Sequence, residues 1–257
     1  MSLIAKDIHL SLGRKEILRG IDFRAQAGQF TAIVGPNGSG KTTLLRALTG
    51  ELRPKGQISL NGHAIATTAP ERMAQIRGVL PQATVLSFPF TVAEVVRLGH
   101  DARGAAADAL ILAALDRVDL AGFAGRYYQQ LSGGEQQRVQ LARVLVQVWQ
   151  PVGDDGPRWL FLDEPVSSLD IAHQLTVMRL AADYAKRGGG VVAVMHDLNL
   201  TAMFADSIAL LAAGQVVVQG RPDEVLTNHS LSAAYGCTLA VNTLPKQGIW
   251  ILPHAAA

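Results

Sequence analysis

The residues GPNGSGKT, Gly35 to Thr42, set three glycines ahead of a lysine and a threonine. Glycines at this spacing let the backbone curl until several N–H groups point at one centre, where a highly charged anion can sit. The lysine adds a full positive charge, and the threonine hydroxyl suits a hard cation. An apolar strand pattern, FTAIV from Phe30, precedes the loop and a helical pattern, TTLLRALTG, follows it, the context in which such a loop grips a nucleotide's phosphates. The alternative is a glycine-rich turn that binds nothing, for which a buried lysine would be a poor choice. Gly35, Asn37, Gly38, Ser39, Gly40, Lys41, Thr42 and Thr43 are therefore expected phosphate ligands, with Lys41 on the β- and γ-phosphates and Thr42 on Mg²⁺.

A phosphate chain with Mg²⁺ calls for a carboxylate on the metal, and hydrolysis calls for a group that orients or deprotonates water. WLFLDEP, from Trp159, ends an apolar strand pattern with two acids. Asp163, at the carboxyl end of the strand, is expected to hold Mg²⁺ through its water shell, and Glu164, pointing elsewhere, to be the catalytic base. Two acids that simply end a strand before Pro165 are the other reading, which the phosphate loop weakens. His196 ends a third apolar run, GVVAVMHDL from Gly190. A lone histidine is more often structural, but its place at another strand's carboxyl end favours a γ-phosphate contact. His63, His100 and His229 carry no pattern and read as surface residues.

A second anion site is outlined by LSGGEQQRVQLARVL, Leu131 to Leu145. A serine and two glycines stand at the mouth of a helical pattern, where free N–H groups and the helix dipole attract phosphate. No lysine accompanies them, so this site is too weak alone and needs a cation from elsewhere.

These residues need a scaffold. The runs FTAIV, WLFLD and GVVAV are apolar on both faces, as in central strands of a parallel sheet covered by helices, so a doubly wound α/β core is expected. From Leu3 to Gln29 the pattern Ile4, Ile8, Leu10, Leu12, Ile17, Leu18, Ile21 and Phe23 predicts short antiparallel strands in a small edge sheet. Residues 91–99, 104–120 and the helix after Ser132 have helical spacing. The whole chain, 1–257, reads as one domain, with 1–86 and 151–257 forming the α/β core and antiparallel part and 87–150 a mainly helical insertion. QPVGDDGPR from Gln150 reads as a polar loop, IALLAAGQVVVQG as a hairpin, and 224–235 as one or two helices. No motif is legible after Asn228.

A chain of 257 residues, 49% hydrophobic, has ample material for a core. Its formal net charge of +2, without basic runs, argues against nucleic acid as the main partner. Cys237 is the single cysteine, so no intrachain disulfide is possible. No apolar stretch approaches the roughly 18 residues that cross a bilayer, and MSLIAKDIHL does not resemble a secretory signal, so a cytoplasmic protein is expected.

The order of the phosphate loop, LSGGE, LDEP, SSLD and MHD resembles the ATP-binding cassette ATPases over essentially the whole chain. The resemblance implies a P-loop cassette fold, ATP and Mg²⁺ as ligands, and a homodimer in which Ser132, Gly133 and Gly134 hold the γ-phosphate of an ATP carried by the partner's P-loop, whose Lys41 supplies the missing cation. By the same likeness Gln82, in VLPQAT, senses Mg²⁺ and the attacking water, though alone it would read as a polar surface residue. Asp170 in SSLD acts across the dimer, and Leu12 stands where the family commonly stacks an aromatic on adenine. Val166 stands where threonine is common.

Cassettes that act on nucleic acid or ribosomes usually carry two cassettes or a long coiled coil, and exporters commonly fuse the membrane part. Neither feature is present. The stretch LPQATVLSFPFTVAEVVRLGH, with SSLDIAHQ and MHDLNL, resembles the importer group for iron chelates, haem and cobalamin, and the insertion QVWQPVGDDGPRWLFLDEP resembles its haem branch. The implied partners are an integral membrane permease dimer and, indirectly, a periplasmic haem-binding protein. The implied place is the cytoplasmic face of the bacterial inner membrane, held peripherally, with closure passed to the permease through residues 82–99. Siderophore and cobalamin importers stay as neighbouring alternatives.

Overall fold

The computed structural model describes residues 1–84, 86, 88–100, 104–244, 247–249 and 251. Ser87, at the start of the expected helical insertion, lies outside the described residues, as do Trp250 and the terminal alanines.

The chain opens with β1 (Ser2–Leu12) and β2 (Lys15–Gln26), paired antiparallel from Ser2 opposite Gln26 to Leu12 opposite Lys15. These are long strands rather than the short ones expected. Asp7 takes a left-handed φ of 52°, and a bulge between Ala5 and Ile8 moves the buried set from Leu3 and Ala5 to Ile8 and Leu10. An extra residue in one strand shifts the period-two alternation by one, so Ile4, out of phase with Leu3 and Ala5, is only half-buried; Leu12, in phase with Ile8 and Leu10, is exposed because it lies at the hairpin tip.

After β3 (Phe30–Val34) and α1 (Lys41–Leu48), strands β4 (Lys55–Leu60) and β5 (His63–Ala64) join the first two in a four-stranded sheet of order β2-β1-β4-β5. Then follow α2 (Pro70–Ile76) and β6 (Arg77–Leu80), and the helices α3 (Val92–Arg97), α4 (Ala105–Arg117) and α5 (Gly133–Gln147). Where a polar loop was expected, β7 (Val152–Gly153) and β8 (Gly156–Pro157) make a small hairpin. The rest alternates: β9 (Trp159–Asp163), α6 (Ile171–Lys186), β10 (Gly190–Val194), α7 (Leu198–Phe204), the hairpin β11 (Ser207–Ala212) and β12 (Gln215–Gly220), then α8 (Pro222–Val225) and α9 (Asn228–Tyr235).

Six strands form the main sheet in the order β12-β11-β3-β10-β9-β6, parallel except for β12. Every residue of β3, β9 and β10 is buried. Alternate residues serve two cores. Ile33, Trp159, Phe161, Val192 and Val194 pack with α1 and the antiparallel sheet. Phe30, Ala32, Val34, Leu160, Leu162, Val191 and Ala193 pack with the opposite layer, which includes α5 and α6. Helices α3 and α4 lie against α5 through Val92, Val95, Val96, Ile111 and Leu115. Burying each such side chain contributes about 1.5–3 kcal/mol, which fixes the strands firmly enough to aim their ends.

The register brings those ends into line. Val194 lies opposite both Ile33 and Asp163, so β3, β9 and β10 deliver the phosphate loop, the acid pair and His196 along one edge. The opposite end is closely packed. Gly190 pairs with Trp159, whose Nε1 donates to Asn61 Oδ1 at 3.0 Å, and a Cβ on Gly190 would stand 2.2 Å from the indole. Gly190→Ala is therefore expected to destabilise the fold by about 1–3 kcal/mol, read as a lower urea midpoint at unchanged m.

Candidate active site

The phosphate loop joins β3 to α1 with a backbone that side chains would block. Gly35 has φ 149°, and a Cβ there would meet the Leu211 carbonyl oxygen of β11 at 1.9 Å. Gly40, the residue before α1, has φ 104° and rests on Ile17 and Leu18 of β2. The Gly214 N–H of the β11–β12 turn donates to the Ser39 carbonyl at 3.1 Å, bracing the loop from the neighbouring hairpin.

Lys41 is the first residue of α1 and is 6% exposed. Its Nζ donates to the carbonyls of Gly35 at 2.9 Å and Pro36 at 3.1 Å. Burial pushes the ammonium below the ordinary lysine range, while the charges of Glu164 and Asp163 pull it back up. Two carbonyl dipoles do not neutralise a dehydrated cation. Ser39 Oγ, within the same loop, is also buried and has no hydrogen-bond partner among the described residues. A curled backbone, a buried ammonium only partly compensated by the nearby acids and an orphaned hydroxyl fit a polyphosphate. Asn37 and Gly38 are exposed at the loop's crest, and Thr43 is half-buried.

Thr42 Oγ1 donates to Asp163 Oδ1 at 3.1 Å, joining the loop to the end of β9. Burial pushes the Asp163 carboxyl up, and the Thr42 hydroxyl draws it partly back. The pair offers two hard oxygens. Among the described residues no group of three His, Cys, Asp or Glu side chains could hold a metal, so Mg²⁺ here would take its other ligands from phosphate and water, as its chemistry favours. Gln82 lines the same cavity of about 220 Å³ as Thr42 and Asp163.

Glu164 is set apart by its backbone, φ 51°, a strained value for a residue with a side chain. Its carboxylate lies between two partners: Gln82 Nε2 donates to Oε2 at 3.1 Å, and His196 Nε2 stands 2.6 Å from Oε1. The expected base, the expected water-sensing glutamine and the expected γ-phosphate contact, from the ends of β9, β6 and β10, thus meet around one carboxylate. Val166, the departure after LDEP, is buried in the main core and touches none of this chemistry.

The second anion site is built on the N-terminus of α5, where Ser132 is the cap. Glu135 Oε2 accepts from both the Ser132 N–H and its hydroxyl, each at 2.7 Å, and these bonds hold the Glu135 carboxyl below the usual range. A carboxylate thus already occupies the serine hydroxyl expected to face phosphate, together with the serine's own N–H. The N–H groups of Gly133 and Gly134, in the first turn, have no intrahelical acceptor. Asp170 caps α6, accepting from His173 N at 3.0 Å with His173 Nδ1 at 2.8 Å, and His173 Nε2 lies 3.3 Å from Asp119. Ser132, Gly133, Gly134 and Asp170 line a shallow concavity of about 540 Å³, which shares no lining residue with the cavity of Thr42 and Asp163. The structure therefore brings Lys41, Thr42, Asp163, Gln82, Glu164 and His196 into one cluster and opens Ser132, Gly134 and Asp170 on another concavity, with Gly133 lining both that concavity and a small cavity shared with Gln82. Leu12, 49% exposed, is accessible at its hairpin tip.

Sequence reasoning missed Glu135 on Ser132, the Asp119–His173–Asp170 chain, and Gln137, whose Nε2 donates to the Glu164 carbonyl at 3.0 Å. The serine three residues before a glutamate was a legible capping signal. The other contacts join distant segments and leave no local trace.

The fold and this loop-and-acid constellation define a P-loop cassette ATPase. Residues 18–167 match the ABC transporter family, and the chain belongs to that family. It is 62% identical over 256 residues to the hemin import ATP-binding protein HmuV of Jannaschia sp. (strain CCS1), covering 99% of this chain and 95% of that protein. A dimeric bacterial ABC transporter cassette superposes with TM-score 0.74 at 26% identity, over 86% of this chain and 98% of that one. An inward-facing ABC transporter of metal-chelate type gives TM-score 0.74 at 26% identity, over 91% of this chain and 88% of that one.

Because the Ser132 donors depress the pKa of Glu135 in the folded state, its contribution to stability is complete above the unfolded value of about 4.3 and fades as pH falls through the folded one. The melting-temperature difference between the native chain and Glu135→Ala is expected to narrow as a thermal series is taken down from neutral pH to about pH 3.

Proposed function

We propose that this chain is the ATP-hydrolysing subunit of a bacterial haem importer, working as a homodimer under a separate membrane permease dimer. The observation that carries the substrate is the 62% identity to a hemin import ATP-binding protein along nearly the whole of both chains. Among the described residues no helix is long and apolar enough to cross a membrane, which fits a subunit held peripherally at the cytoplasmic face by its permease, with a periplasmic haem-binding protein delivering cargo on the other side.

The mechanism follows from the two half-sites. Lys41 and the loop N–H groups bind the β- and γ-phosphates, and Thr42 and Asp163 hold Mg²⁺, which when bound neutralises charge on the transferring group. Ser132, Gly133 and Gly134 share their concavity with Arg138, whose guanidinium is held by the Val118 and Asp119 carbonyls, so on this reading another chain's Lys41 brings the cation that grips the phosphate. Closure of two copies places each α5 N-terminus on the opposite nucleotide and displaces the Glu135 carboxylate from Ser132. Glu164 takes the proton from water, Gln82 and His196 orient the carboxylate and the γ-phosphate, and Asp170 lies at the seam. Leu12 gives adenine an apolar contact in place of an aromatic stack. The cassette does not touch the cargo; closure reaches the permease through residues 82–99, where Phe88 is 68% exposed, and coupling in the reverse direction makes a loaded permease accelerate hydrolysis.

The test is reconstitution of the chain with its co-purified permease in vesicles. Haem-loaded binding protein is expected to stimulate ATP hydrolysis severalfold, and stimulation by a ferric siderophore or cobalamin in place of haem would reassign the cargo. In the same preparation Glu164→Gln is expected to bind ATP normally, lose about 10²-fold or more of turnover, and accumulate as an ATP-bound dimer on gel filtration. Turnover at the native rate would remove Glu164 as the base.

A further inference from the structure

Gln137 sits in the second turn of α5, about 7.5 Å along the axis from Ser132. Its Nε2 bond to the Glu164 carbonyl, at 3.0 Å, joins segments 27 residues apart. That carbonyl is a small hub, accepting also from the Ser167 hydroxyl at 3.2 Å and the Ser167 N–H at 3.3 Å. It belongs to the one acid of the site whose backbone is left-handed, and the same residue's carboxylate reaches Gln82 and His196. Turning the Glu164 peptide would therefore swing its carboxylate relative to both.

The other atom of the Gln137 amide, Oε1, is buried without a hydrogen-bond partner among the described residues. An unpaired buried acceptor weakens a fold, and an apolar side chain of equal length would avoid that loss. Stability therefore does not account for the amide; its donor does. Gln137 and Gln82 also line one cavity of about 180 Å³ with Gly133, Gln136 and Ser168, so Gln137 borders a space that both the signature and the expected water-sensing glutamine reach. The neighbouring Gln136 bonds only the nearby carbonyls of Tyr128 and Leu131 and makes no such bridge.

We infer that Gln137 is a positioning residue for hydrolysis: its amide ties the peptide of Glu164 to the helix whose N-terminus engages the partner's nucleotide, so each subunit's base is set by ATP bound to the other. This rests on the reading of Glu164 as base and of Ser132 as a site acting across the dimer. A fifteen-residue helix moves as a rod, so a displacement of Ser132 on meeting phosphate is felt at Gln137 and passed through one hydrogen bond to the strained residue.

The experiment measures ATP hydrolysis by the full-length chain over a range of ATP concentrations, with Gln137→Met, which keeps length and removes both donor and orphaned acceptor, and with Gln137→Ala. Gln137→Met is expected to lower kcat about tenfold, leave KM for ATP within about twofold, bring the Hill coefficient towards 1, and keep or raise the melting temperature. Native kcat and cooperativity in Gln137→Met would overturn the inference. So would rate loss in both variants that only follows their loss of folded protein. Glu164→Gln, run alongside, separates the levels: if it hydrolyses ATP normally, the underlying reading fails, whereas if it is inactive and Gln137→Met is native, the inference alone fails.

Discussion

A lysine ammonium held out of water with only two backbone carbonyls for partners is the constraint around which this protein is arranged. Lys41 is tolerable in that state because Asp163 and Glu164 lie close enough to favour its charge, and they lie there because a fully buried parallel sheet fixes the ends of its strands. Loss of sheet register would leave a buried cation uncompensated, so the fold and the charge cluster support one another. A polyphosphate entering the loop relieves the same imbalance, which makes the unliganded site both a cost to the fold and a source of affinity for nucleotide.

The second constraint is separation. The signature serine opens on a different concavity from Thr42 and Asp163, and its two donors are occupied by the Glu135 carboxylate. On the proposed reading, a half-site that carries Lys41 and a half-site whose one arginine is tied to backbone carbonyls are completed by pairing two copies. On the same reading closure waits on nucleotide, because a phosphate must displace the Glu135 carboxylate from Ser132. The Asp119, His173 and Asp170 chain beside the same concavity ties the end of the α4 segment to the start of α6.

Much of this was legible before the coordinates. The phosphate loop, the acid pair and the signature are defined by local spacing, and FTAIV, WLFLD and GVVAV are apolar on both faces, as central parallel strands must be. The first hairpin was legible only in part, because the bulge at Asp7 changes which alternate residues are buried, and the apolar pattern that includes Leu12 does not show that this residue lies at an exposed tip. The β7–β8 hairpin escaped because glycine, proline and aspartate dominate its six residues. Strand β4, with half its residues exposed, gives too weak an alternation to stand out. Gln137 was invisible for another reason: its partner is a backbone carbonyl, and a carbonyl carries no residue type for a pattern to find.

The central claim, that one working site is made by two chains, is tested most directly by mixing subunits. Lys41→Ala and Ser132→Arg are each expected to be inactive alone, since each spoils one half of every site. Mixed and assayed for ATP hydrolysis, they should recover a measurable part of the native rate, because the heterodimer pairs an intact Lys41 with an intact Ser132 at one of its two sites. If the mixture stays as inactive as its components while mixed dimers demonstrably form, the site is not shared and the account is wrong.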